Sequence, residues 1–147
     1  MCIRDRGVPY QYFTVDPEFD TDQWITAAEV QPGNKTVVHH IIVYAQPPGK
    51  KGRRNRIFLT AYVPGLRLEP LPENSAKMIP AGSKLIFEQH YTPVGSPQQD
   101  ISQLGLIFAN PEDITHEVIT AEVACACLLY TSPSPRDLST SRMPSSA

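Results

Sequence analysis

Short apolar runs alternate with breaks containing proline or glycine along most of the chain, and that rhythm restricts the fold more than any other feature. Runs of strand length stand at 10–15, 24–29, 37–44, 57–62, 84–91, 103–108 and 115–121. Between them lie Pro32-Gly33-Asn34, Pro47-Pro48-Gly49, Pro64-Gly65, Pro80-Ala81-Gly82 and Thr92-Pro93-Val94-Gly95. Proline withholds a backbone donor and glycine weakens a ladder, so each break ends a strand. No long stretch keeps a clear helical period. The pattern therefore predicts an all-β chain, an antiparallel β-sandwich of jelly-roll-like form in a single domain. Residues 16–23 fit a loop or a short helical turn, and no internal repeat is visible.

The two ends read differently from the body. Met1-Cys2-Ile3-Arg4-Asp5-Arg6 and Cys127-Leu128-Leu129-Tyr130-Thr131 are what opposite strands of one inverted DNA string would encode, as a library adapter at both ends of a fragment would give. The remaining tail, 132–137 and 141–147, reads as adapter text as well. Residues 1–6 and 127–147 are accordingly set aside as adapter-like, and 7–126 is taken as the natural domain.

That division alters the charge and the cysteine count. Lys+Arg falls from 13 to 9 and Asp+Glu from 15 to 13, a net charge near −4, which gives no reason to expect nucleic acid. Cys2 and Cys127 fall in the adapter-like ends, so Cys125-Ala126-Cys127 is not read as a metal or redox pair. The 120 residues of 7–126 suffice for one domain with its own core, and no apolar stretch has the length of a membrane span.

The run Val37-Val38-His39-His40-Ile41-Ile42-Val43-Tyr44 sets two histidines in a strand expected to be buried on both faces. A buried imidazole costs free energy unless its nitrogens find partners. Neighbouring strand residues point to opposite faces, so the pair alone reads more readily as two hydrogen-bonded histidines than as a chelate. A local twist or bulge would bring both rings to one ion. A second run, Lys84-Leu85-Ile86-Phe87-Glu88-Gln89-His90-Tyr91, carries a third histidine. Three of the chain's four histidines thus lie in these two predicted strands. His39, His40 and His90 are the candidate metal ligands, and an imidazole set without cysteine favours copper or zinc over calcium or magnesium. The residues alone leave copper and zinc both open.

Two segments extend this reading. Val38-His39-His40-Ile41-Ile42-Val43-Tyr44 resembles the paired-histidine strand of the type II, ascorbate-dependent copper monooxygenases, the peptidylglycine hydroxylating and dopamine β-monooxygenase family. Phe87-Glu88-Gln89-His90-Tyr91 resembles the strand bearing the third histidine of the same copper. Ala61-Tyr62-Val63-Pro64-Gly65, Ile79-Pro80-Ala81-Gly82-Ser83 and Leu104-Gly105-Leu106-Ile107-Phe108 look most like bacterial members. The resemblance implies two jelly-roll-like domains with one copper each. In the first, three histidines hold a copper that relays electrons from ascorbate or another reductant. In the second, a further copper binds oxygen and attacks a substrate C–H bond. This chain matches the first, and the second domain's His-x-His pair and methionine have no counterpart in it; that domain would be a partner in the same natural chain. A periplasmic or secreted location is likewise what the resemblance implies. The disulfides of the animal enzymes have no equivalent here.

Other features carry blander readings. Met78 is expected in a loop as a packing residue, Trp24 as a core anchor, and His116 as exposed on a late strand. Glu88 or Gln89 is a candidate acceptor for a ligating imidazole's second N–H, and equally a strand-surface residue. The basic stretch 50–56 reads as a solvated loop, and Asp16, Glu18, Asp20 and Asp22 lack the glycine and final glutamate of an EF-hand loop. Two alternatives to the copper enzyme remain: a non-catalytic sandwich in which the three histidines form a buried polar network, and a three-histidine zinc site.

Overall fold

The computed structural model describes residues 8–66 and 69–121. The adapter-like ends and Cys125 lie outside them. The chain forms β1 (Gln11–Val15), β2 (Gln23–Gln31), β3 (Val38–Gln46), β4 (Ile57–Tyr62), β5 (Ser75–Ile79), β6 (Lys84–Tyr91), β7 (Gln103–Phe108) and β8 (His116–Glu117). These strands make two four-stranded sheets, ordered β1-β6-β3-β4 and β7-β2-β5-β8. The expected all-β sandwich is therefore what forms. Every pairing is antiparallel except the two-residue β5–β8 pair, which is parallel. Among the described residues no helix is long and apolar enough to cross a membrane.

Most connections pass from one sheet to the other, so strands distant in sequence become neighbours. β3 and β6 are the pair that matters most here, running side by side from Val38–Tyr91 to Gln46–Lys84. Their inward residues, Ile41, Val43 and Ala45 from β3 and Leu85 and Phe87 from β6, join Ile25, Val30, Leu59 and Ile79 in the core. Ile41, Val43 and Ala45 are wholly buried. Removing water from such side chains stabilises by roughly 25 cal/mol per Å² of apolar surface, which fixes the register, because a one-residue slip would turn the whole set outward.

The fold departs from the sequence reading in three places. β5 was not among the expected strands: Ser75 and Lys77 interrupt its apolar pattern, yet both are buried, as is Ala76 between them. Met78 consequently lies on a strand and not in a loop, opposite Trp24 in the β2–β5 pair. Trp24 is half-buried and its neighbour Ile25 holds the core position, because alternation sends only one of them inward. The last expected strand, 115–121, contracts to His116–Glu117.

Candidate metal centre

His40 and His90 stand opposite each other in the β3–β6 pair, and the next matched residues are Val38 and Tyr91. His39 falls between them without a partner. It is the extra residue of a β-bulge, the local irregularity that lets two consecutive side chains leave the alternating pattern. The three imidazoles consequently converge. Ring centroids lie 5.3 Å apart for His39 and His40, 5.2 Å for His39 and His90, and 5.1 Å for His40 and His90. One nitrogen from each ring lies within 4.8 Å of the other two. Two imidazole nitrogens bound to one ion at about 2.0 Å stand roughly 3–4 Å apart, so small ring rotations suffice.

The nitrogens themselves bear on whether a cation fits. His39 Nδ1 and His40 Nδ1 are 3.0 Å apart. A neutral imidazole has one N–H and one lone pair, so this contact either shares a single proton or addresses a common cation. His90 Nδ1 is buried and has no hydrogen-bond partner. Burial is the largest cause holding His40 below the ordinary histidine pKa, followed by the neighbouring His90 and His39, while Glu88 acts in the opposite direction. A ring kept neutral keeps its lone pair for a metal. A closely spaced nitrogen pair, an orphaned third nitrogen and an all-imidazole donor set together fit a borderline transition-metal ion.

Tyr10 completes the centre. Its ring stacks on His90 at 4.8 Å between centroids and 14° between planes, and lies 5.5 Å from His40. Sequence reasoning placed Tyr10 only at the start of a strand, since nothing in its spacing ties it to residue 90. Behind the rings, the entry into β3 is pinned from several directions. Asn34 donates its backbone N–H to Asp100 Oδ1 at 2.7 Å, Val38 donates to the Asn34 carbonyl at 3.1 Å, and Thr92 donates to the Val37 carbonyl at 2.8 Å. Asp100 Oδ2 also accepts from Ser102 at 2.8 Å and lies 3.2 Å from the Tyr91 hydroxyl, which contacts Gln89 as well. Burial and the nearby Asp100 push the Tyr91 phenol up to about 12.

The remaining sequence candidates separate cleanly. Glu88 shares the face of His90, two residues away, whereas Gln89 turns toward Tyr91 on the opposite face and is not placed to serve an imidazole. His116 is exposed and lies beside the Thr115 hydroxyl, apart from the three-histidine group. Asp16 accepts from the Glu18 amide and Asp22 from the Ala81 amide, so both carboxylates shape loops. The basic loop is exposed, but two of its arginines fold back: Arg53 approaches Glu88, and Arg56 lies over the rings of Tyr12 and Tyr44. Compared with known proteins, the chain matches no family model, and no curated protein matches it.

Proposed function

We propose that this chain is the electron-transfer domain of a two-domain, ascorbate-dependent copper monooxygenase, with His39, His40 and His90 holding one copper. The observation that carries the reading is the bulge at His39, which gathers three imidazoles from two paired strands. The motif resemblance selects copper among the ions such a set accepts. Copper bound there supplies one-electron chemistry through the Cu(I) and Cu(II) states. The protein's part is to bind and orient. β3 and β6 fix two ligands across a rigid pair, the bulge turns the third toward them, and Tyr10 covers one face of His90. No proton needs to move at this site. Hydroxylation of a substrate would belong to the partner domain, with ascorbate or another reductant as electron donor, and a periplasmic or secreted setting goes with the same reading.

The test is a Cu(II) titration of the wild type, His90→Ala and His116→Ala, followed by electron paramagnetic resonance before and after ascorbate. One copper per chain should bind, and its Cu(II) signal should vanish on reduction. His90→Ala should weaken binding beyond the roughly 10–100-fold cost of losing an outer-shell partner, while His116→Ala should not change it. Equal binding by all three proteins would leave the histidines as a polar network. Tight zinc binding with no ascorbate-reducible copper would favour the zinc reading.

A further inference from the structure

Glu88 is the one carboxylate of β6 and sits on the histidine face of the sheet. His40 pairs with His90 and Ile42 with Glu88, so Glu88 is two residues from one candidate ligand and diagonal to another. Its side chain is only 4% exposed. Oε1 lies 3.7 Å from Arg53 Nη2, a loose approach by an arginine side chain that is itself 55% exposed. Oε2 is buried with no hydrogen-bond partner. A carboxylate so placed opposes folding, since a buried charge needs close, complete pairing to offset its desolvation. An apolar or amide side chain would fill the position at lower cost. The neighbouring centre gives the charge a use. Three neutral imidazoles donate lone pairs but no negative charge, and a cation entering them would otherwise remain uncompensated on a half-buried surface.

We propose that Glu88 is a positioning residue of the metal centre, a buried counter-charge that makes His39, His40 and His90 favour a divalent ion over a monovalent one. The inference rests on the metal-site reading above. Coulomb attraction scales with the charge of the ion, so removing the carboxylate costs a divalent ion about twice the free energy it costs a monovalent ion, whatever the local dielectric. In a copper protein the same bias holds the oxidised state and lowers the reduction potential. Arg53 opposes the bias by drawing on the same carboxylate.

The experiment measures Zn(II) and Ag(I) affinities by competition in the full chain, for the wild type, Glu88→Gln, Glu88→Asp, Arg53→Met and His90→Ala. Glu88→Gln should weaken Zn(II) about tenfold, within the range for outer-shell partners, and Ag(I) only about threefold. With copper, that threefold difference corresponds to a rise in potential of about 30 mV, at about 59 mV per tenfold for one electron. Arg53→Met should shift the Zn(II)-to-Ag(I) ratio the other way, and Glu88→Asp should preserve it. Thermal melting of the metal-free proteins separates a purely structural role, which would change the melting temperature and leave the ratio untouched. If His90→Ala binds both ions as the wild type does, the site itself is wrong. If His90→Ala loses them while Glu88→Gln and Arg53→Met keep the wild-type ratio, the site stands and the role of Glu88 is refuted.

Discussion

His40 and His90 face each other directly across two antiparallel strands, and the residue that follows Val38, His39, faces nothing on β6. An uninterrupted ladder would have sent His39 to the inner face beside Ile41. The bulge thus exchanges a regular pairing for a third ring at the site, and the exchange leaves a cluster of polar rings pressed together in the metal-free protein. Replacing His40 by Leu should therefore raise the stability of the metal-free chain by about 0.5–1 kcal/mol, in the range of substitutions that relieve functional strain, while abolishing metal binding. Urea denaturation of both proteins without metal, beside a Co(II) titration, measures the two effects. A less stable His40→Leu chain would mean that the imidazole cluster supports the fold.

Metal should stabilise the fold through mass action. An ion that binds the folded chain alone adds about 2.7 kcal/mol at a concentration of 100 Kd. For a domain of this size each kcal/mol moves the melting temperature by roughly 3–5 °C, so a shift near 10 °C is expected for the wild type. His90→Ala should show little shift and His116→Ala the full one. A differential scanning measurement with and without Zn(II) or Cu(II) decides it, and equal shifts in the two variants would place the ion elsewhere.

How far the sequence led depended on whether apolar runs alone decided the outcome. It found β3 and β6 as strands but not their faces, since Ile41-Ile42 and Leu85-Ile86-Phe87 are apolar at consecutive positions, and only the pairing puts His40, Glu88 and His90 on one side. It missed β5, where a lysine occupies a buried position through hydrogen bonds that no hydropathy pattern reveals. Trp24 was misplaced for a related reason: size suggests a core anchor, but register gives the core to Ile25. The bulge was legible only as a condition that a shared ion would impose on adjacent histidines. Tyr10 could not be read at all, since its stacking on His90 depends on the β1–β6 pairing that brings the two segments together.

Gly33 has a packing role that bears on the site at a distance. A Cβ there would stand 2.5 Å from the Ile101 carbonyl oxygen and 2.7 Å from its nitrogen, and backbone atoms cannot swing aside as a flexible side chain would. The same turn carries Asn34, whose N–H meets Asp100 and whose side chain donates to the Gln99 carbonyl at 3.1 Å. Gly33→Ala should destabilise by about 1–3 kcal/mol through overpacking, lowering the urea midpoint with little change in slope. Because this turn leads into β3, the variant should also bind metal more weakly. Unchanged stability would show that the 98–101 segment shifts freely and does not pin the strand.

Lys77 links the two sheets from inside. Its Nζ donates to the Phe58 carbonyl on β4 at 2.7 Å and to the Thr120 hydroxyl at 2.9 Å, and lies 5.4 Å from the centre of the Phe58 ring. Burial pushes the Lys77 ammonium below its ordinary pKa of 10.5. Between the lowered value and 10.5 the unfolded chain binds more protons at this residue than the folded one, so its contribution to stability rises as pH rises through that window and is lost as pH falls. Lys77→Met keeps much of the volume and removes the charge. Two effects then oppose each other at neutral pH, relief of the buried charge and loss of the donor to Phe58, so the size of the offset discriminates poorly. The slope discriminates well. Subtracting the variant's stability from the wild type's at each pH removes the titration of exposed lysines and tyrosines common to both. The difference should climb in favour of the wild type as pH approaches 10.5 from below. A flat difference would mean that Lys77 is as easily charged inside the sandwich as in water, and that its hydrogen bonds to Phe58 and Thr120 fully offset its burial.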